Sequence, residues 1–284
     1  MANGITGIDH PVCGVRDLDA AKATFEKLGF ALSHRRQFKS WGNANHAVIF
    51  PYDFIELLGI VDAAKFTTPG LKDYLAEGEG IMGVTLTTSD VKAARDKLER
   101  NGFGPSELQE TAIDLLLPEG ALAQRFRWIK LDAAQTPDMY FMLMQPLTPE
   151  NRAPKPEYLQ HANTATGIRS LTVVVDDPAK LRPVYERLFG TQDRVGRADQ
   201  ADIFTGHGSF RFVTQDAFAR LHPGVAVPAA HKPPFIGAIT LTARDVGTAA
   251  AHLRQAGIPF VESDGVVRLG PDQACGMVLE FAAG

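Results

Sequence analysis

Four segments of this chain repeat one pattern, and a repeat of this kind restricts the fold more than any other feature. Gly7–Phe30 reads GIDHPVCGVRDLDAAKATFEKLGF and Gly80–Phe103 reads GIMGVTLTTSDVKAARDKLERNGF. Gly167–Gly190 reads GIRSLTVVVDDPAKLRPVYERLFG and Phe235–Ile258 reads FIGAITLTARDVGTAAAHLRQAGI. Asp17, Asp90, Asp177 and Asp245 bring the copies into register. Each copy offers an apolar strand, then an acid suited to accept from the free N–H groups of a helix start. A helical apolar stripe follows, here Ala20, Phe25 and Leu28, and Gly29 suits a left-handed helix stop. Four copies in 284 residues give a unit of roughly 70 residues. Strand-like runs follow each copy, so the unit reads β-α-β-β-β. The expected class is α+β: four βαβββ modules forming two half-barrel clefts, with helices on the outer faces.

Taken in order, module 1 reaches about residue 60. Its later strands are expected at Phe30–Phe38, Asn45–Phe50 and Phe54–Ile60, with a turn at Trp41-Gly42-Asn43-Ala44. A short helix is expected at Leu71–Ala76. Module 2 then adds strands at Ala112–Leu117, Gln124–Leu131 and Met139–Gln145. Prolines 146, 149, 154 and 156 argue against regular structure after it. The expected division is therefore an N-terminal domain 1–148, a Pro-rich linker 149–166 and a C-terminal domain 167–284. Within the last, strands are expected at Asp202–Phe204, Ser209–Thr214 and Met277–Ala282, and a polar connection at 216–234. Module 1 pairs with 2, and module 3 with 4.

A histidine and a carboxylate stand where apolar side chains are expected. His10 shares the alternating face of Ile8 and Val12. Glu56 lies in the strand FIELLGI, sharing a face with Phe54 and Leu58. A carboxylate in such a strand is costly unless paired, hydrogen-bonded or metal-bound. Elsewhere the composition is ordinary. A net charge of −4 gives no bulk attraction to nucleic acid or anionic membrane. No apolar run approaches the ~20 residues of a membrane-spanning helix, and the start lacks a secretion signal, so a cytoplasmic protein is expected. Cys13 and Cys275 sit in apolar contexts and are expected as free thiols. There is no nucleotide-binding fingerprint, phosphate loop, nucleophile elbow or CxxC knuckle.

The repeated unit resembles the βαβββ module of the vicinal oxygen chelate superfamily, which includes glyoxalase I, extradiol dioxygenases and bleomycin-binding proteins. The stretches IDHPVCGVRDLDAAKATFEKLGF, WGNANHAVIF, FIELLGI and HANTATGI are similar to bacterial glyoxalase-like domain proteins. The resemblance implies a divalent metal (Fe, Mn, Zn or Ni) between two modules, held by a His on each first strand and a Glu on each last strand. His10 and Glu56 match in module 1, and they are also the candidate catalytic pair. Module 2 has Gly83 and Met142 instead. Modules 3 and 4 have Ser170 and Ala238 for the His, and Arg211 and Glu280 for the Glu. The second cleft is therefore expected to be structural. His46 is a candidate third metal ligand or ligand contact, if it faces inward.

Further candidate ligand contacts are Asn45 at the cleft mouth and Asn163, closing over it with His161. Arg125, Arg127 and Trp128 lie on one alternating strand. The arginines face the cleft if Phe126 and Trp128 pack under the helix, and are otherwise solvated. Tyr140, Met142 and Met144 form a soft apolar wall suited to a hydrophobic substrate body. Two readings stay open. One is an enzyme acting on a small organic substrate in the N-terminal cleft, by lyase, isomerase or dioxygenase chemistry. The other is a metal-free small-molecule binder of the bleomycin-resistance type. The expected partner is a small molecule, with a homodimer allowed.

Overall fold

The computed structural model describes residues 2–37, 40–193 and 195–284. The first repeat runs β1 (Gly7–Val15), α1 (Leu18–Lys27), β2 (Arg36–Gln37), β3 (Asn43–Ile49) and β4 (Phe54–Ile60). After α2 (Leu71–Glu77) come β5 (Gly80–Thr87), α3 (Val91–Arg100), β6 (Gln109–Leu117), β7 (Gly120–Lys130) and β8 (Phe141–Pro146). The later repeats give β9 (Ala165–Val174), α4 (Pro178–Phe189), β10 (Gln200–Phe204), β11 (Ser209–Val213) and α5 (Gln215–Leu221). They continue with β12 (Phe235–Ala243), α6 (Val246–Gln255), β13 (Val261–Ser263), β14 (Val266–Leu269) and β15 (Val278–Ala283).

The four aligned acids behave alike. Asp17 caps α1 through the N–H groups of Asp19 and Ala20, and Asp90, Asp177 and Asp245 accept from Ala93, Lys180 and Thr248. Each satisfies N–H groups that the first helical turn leaves without a carbonyl. Gly29 follows α1 at φ 90°, the left-handed conformation that a Cβ would strain.

Three local expectations are corrected. The strand expected at Phe30–Phe38 contracts to β2 at Arg36–Gln37, and Phe38 lies outside the described residues. Asn43 and Ala44 belong to β3 rather than to a turn. The connection expected at 216–234 begins inside a helix, α5, because Thr214 caps it and Ala217 and Phe218 give it an apolar face.

Strands β1-β4-β3-β2-β6-β7-β8-β5 follow one another, and β1 also pairs antiparallel with β5. The first eight strands thus close into a ring, where a half-barrel was expected. Closure rests partly on β2, whose two residues bridge β3 and β6. The other seven strands form an open sheet in the order β10-β11-β9-β12-β15-β14-β13. Ile236 of β12 pairs with Ile81 of β5 and joins the two. One core, including Phe25, Leu98, Tyr185 and Leu253 from the four helices capped by aspartate, is shared by both sheets. The helices therefore lie outside the ring but not outside the molecule.

Strand pairing also fixes which residues are equivalent. Val12 pairs with Glu56, Thr85 with Met142, Thr172 with Arg211 and Thr240 with Glu280, each on a first and a last parallel strand. One face of the open sheet is covered. Phe218 of α5 packs there with Val174, Val213, Ala238 and Val278. A Cβ on Gly237 would sit 2.7 Å from Phe218 Cε2, so sheet and plug are in close contact.

Candidate functional site

The closed ring encloses a cavity of about 600 Å³. His10, Glu56, Asn45 and Arg36 form its polar side, and Trp128, Tyr140, Met142 and Met144 stand along the wall made by β7 and β8. The size and the mixture of an apolar wall with a few converging polar groups suit a small organic ligand.

A bulge in β1 builds the polar side. Register with β5 shifts between Ile8 and His10, so Asp9 is an extra residue in the strand. Ile8 consequently joins the core instead of sharing the face of His10. Asp9 is driven inside with no exposed surface. Its Oδ1 lies 2.7 Å from His10 Nδ1 and its Oδ2 2.5 Å from Arg152 Nη2. Burial pushes the Asp9 carboxyl up, but Arg152 and then His10 outweigh it and hold it below its ordinary value. An ionised carboxylate only accepts, so His10 Nδ1 donates to Asp9. Its Nε2 faces Glu56 Oε2 at 3.6 Å. The imidazole is stacked on Phe54, with centroids 4.1 Å apart.

Glu56 accepts from Asn45 Nδ2 through Oε1. Burial raises its carboxyl above the ordinary 4.5, against the opposing pull of His10 and Arg36. A carboxyl with a raised value beside a positioned imidazole is a typical acid–base arrangement. Arg36 enters from β2, only 4% exposed. Burial lowers its guanidinium to about 10, partly offset by Glu56. Its Nη2 donates to Arg152 O at 3.1 Å, while Nε has no partner. Asn45 Oδ1 is likewise buried without a partner.

Of the residues marked out in the sequence, the structure brings His10, Glu56, Asn45, Trp128, Tyr140 and Met142 to this cavity. Several others are placed elsewhere. His46 alternates with Asn45 on β3 and so faces away, its Nδ1 2.8 Å from Ser33 O. Burial lowers its pKa. On β7 the alternation is the reverse of the one needed by inward arginines. Phe126 and Trp128 face the cavity, and Arg127 grips Glu110 away from it; Arg125 also pairs with Glu110 but does line the cavity. Asn163 is structural: Nδ2 donates to Leu28 O and Oδ1 accepts from Ala165 N. His161 binds Ala31 N and Ile49 O, fastening the segment before β9 to the first repeat. Sequence reasoning missed Asp9, Arg36 and Arg152. Only the bulge places the first, and only the path of the Pro-rich segment places the last.

The equivalent positions in the open sheet are committed to packing. Glu280 is buried and bound by His222, Thr240 and Arg268. Burial raises its carboxyl, but these partners, His222 foremost, hold it below the ordinary value. Arg211 is paired with Asp202.

The implied metal can be tested on the donor set. His10 Nε2 and Glu56 face each other, but their counterparts across the ring are Gly83 and Met142, and His46 points away. Among the described residues no group of three His, Cys, Asp or Glu side chains is arranged to hold a metal ion. A glycine has no donor and a thioether is a poor ligand for a hard divalent cation. The residues present do not fit the two-His, two-Glu centre implied by the resemblance. Among the described residues no helix is long and apolar enough to cross a membrane.

Residues 8–189 match the family of glyoxalase-like domains. The chain belongs to that family, and its fold is that of the vicinal oxygen chelate superfamily. A search of curated proteins returned no match. Among solved structures, the chain is similar to a hypothetical protein from Staphylococcus aureus, with 13% identity, 98% of this chain and 99% of that one covered, and a TM-score of 0.70. It is also similar to a mutant of 4-hydroxymandelate synthase from Streptomyces coelicolor, with 13% identity, coverage of 99% and 94%, and a TM-score of 0.61. A xylose isomerase-like TIM barrel/4-hydroxyphenylpyruvate dioxygenase fusion protein shares 14% identity over 99% of this chain and 49% of its own, with a TM-score of 0.61. At these identities the likeness concerns the fold.

Proposed function

We propose that this chain is a vicinal-oxygen-chelate-type enzyme that moves a proton on a small organic molecule held inside the closed ring. One observation carries the reading: Glu56, with a raised pKa, faces both the cavity and the Nε2 of a histidine whose other nitrogen is fixed by Asp9. Glu56 is the group that takes a proton from the substrate's acidic C–H or O–H. His10 Nε2 can receive that proton and return it, and Asp9 stabilises the imidazolium meanwhile. This supports lyase or isomerase chemistry, which proton transfer alone can serve, over dioxygenase chemistry. In the same reading the repeats are four βαβββ modules, residues 1–148 form the working half and 167–284 a scaffold. The third module is one strand short among the described residues.

The test is solvent exchange. Wild type and Glu56→Gln are incubated in deuterium oxide with a panel of small carbon acids: 2-oxo acids, hydroxyketones and aryl ketones. Mass spectrometry reads the label. The reading expects wild-type-dependent deuterium in at least one compound and none with the variant. Compounds that bind but never exchange would overturn it in favour of a second reading, a sequestering protein. That alternative is favoured by Gly83 and Met142 standing where the second pair of ligands would be.

A further inference from the structure

The polar side of the cavity holds two guanidinium groups, and they differ in what they are bound to. Arg36 and Arg152 both lie 5.3 Å from the Phe54 ring centroid. Arg152 is paired with a carboxylate, with Nη2 on Asp9 and Nη1 on Tyr52 O. Arg36 is not. It is more than nine-tenths buried, faces the cavity, and spends a single hydrogen bond on Arg152 O. Its Nε has no partner. Glu56 makes no hydrogen bond to Arg36 and is turned instead to Asn45 and His10.

A buried guanidinium with an unmet donor is costly, and a site that keeps one is built for a ligand that completes it. We propose that Arg36 is an anion subsite of this cavity, and that the molecule bound there is a small organic carboxylate with an aromatic or aliphatic body. The inference rests on the cavity being the functional site and adds its ligand class. Arg36 presents a planar fork, which matches the two oxygens of a carboxylate. Asp9 is bonded to Arg152 and Glu56 to Asn45, so the Arg36 fork is left without a carboxylate in hydrogen-bond contact, and a single carboxylate matches its two-pronged geometry better than a tetrahedral phosphate ester. The body of the ligand extends towards Trp128, Tyr140 and Met142. Lys130 lies over both rings, with Nζ 5.8 Å from each centroid. That end is thus aromatic and electropositive, and it also favours an anion. Asn45 Oδ1 remains as an acceptor for a hydroxyl or amide hydrogen on the ligand.

The experiment is calorimetric titration of the full chain with phenylacetate and with its neutral isostere phenylacetamide, alongside methyl phosphate. Arg36→Met keeps the stem and removes the fork, and Arg36→Lys keeps the charge and removes only the fork. The expected result is phenylacetate binding at least tenfold tighter than phenylacetamide to wild type. That preference should vanish in Arg36→Met and weaken in Arg36→Lys. The Arg36 Nε–H resonance, assigned by its loss in Arg36→Lys, should shift with phenylacetate in wild type. This reading holds even if Arg36→Met folds poorly. Equal binding of acid and amide, binding of methyl phosphate in preference to phenylacetate, or no shift of the Nε–H signal would each overturn the subsite. Those results would leave the deuterium-exchange test of Glu56 unaffected, so the two claims fail separately.

Discussion

Replacing Asp9 by Asn probes the least expected part of the site. Asp9 has no exposed surface and accepts from two donors, His10 Nδ1 and Arg152 Nη2. Asparagine has one oxygen and an amino group, so it can satisfy only one donor in the present arrangement. If the oxygen serves Arg152, the amino group meets His10 Nδ1, and the imidazole must shift its proton to Nε2. Arg152 then lacks its counter-charge. Breaking a buried ion pair from one side costs about 3–5 kcal/mol. Arg152 is partly solvated, with 18% of its side chain exposed, and keeps Tyr52 O, so the lower figure of about 3 kcal/mol applies. For a chain of this size that is a fall of about 6 °C in Tm, at roughly 2 °C per kcal/mol. The pH dependence has a definite sign. The folded-state pKa of Asp9 is depressed below 3.8, so its contribution is complete above that value and disappears as pH falls towards the folded value. Urea unfolding of both proteins at pH 7.5, 5 and 3.5 measures this. The gap should be about 3 kcal/mol at the two higher values and begin to close at the lowest. A gap under about 1 kcal/mol at pH 7.5, or one that widens on acidification, would refute the reasoning.

Two further outcomes follow from the same geometry. Phe218→Ala should destabilise the chain by about 3–5 kcal/mol, because Phe218 is 1% exposed and plugs the open sheet; ligand affinity in the closed ring should be unchanged, as equilibrium titration with phenylacetate would reveal. Gly83→His combined with Met142→Glu should create a site for one Zn²⁺ or Ni²⁺ per chain. A Cβ at Gly83 meets Tyr140 Cδ1 at 3.4 Å, an ordinary contact. Metal analysis after dialysis should find the ion in the double variant and not in wild type, and equal retention by both would contradict the donor-set argument.

Much of the fold was readable because the repeat carries its own punctuation. The four aspartates cap four helices, and the Glu56 register recurs at Met142, Arg211 and Glu280 through the same strand pairing. His10, Glu56 and the Met/Tyr wall were legible because strand alternation decides their facing. Where alternation was interrupted or unanchored, sequence reasoning failed. The bulge at Asp9 moves a carboxylate beside His10 that strict alternation would send to the opposite face. The facing of His46 and of the arginines of β7 conflicts by alternation with that of Asn45 and Trp128, their neighbours and fellow candidates, and the sequence held nothing to choose between the two sets. Arg36 sits on a strand of only two residues, too short for periodicity to register. The plug formed by α5 is a tertiary choice: its residues are polar enough to read as a connection, yet Ala217 and Phe218 suffice to cover a sheet face.

The central claim is that Glu56 holds and releases a proton inside the closed ring. The most direct measurement is a pH titration of its carboxyl carbon by 13C NMR, assigned by comparison with Glu56→Gln. The account predicts a midpoint above 4.5, because burial outweighs the attraction of His10 and Arg36. A midpoint at or below 4.5 would mean that its neighbours outweigh burial, and the account of Glu56 as a carboxyl tuned upward for proton transfer would be contradicted.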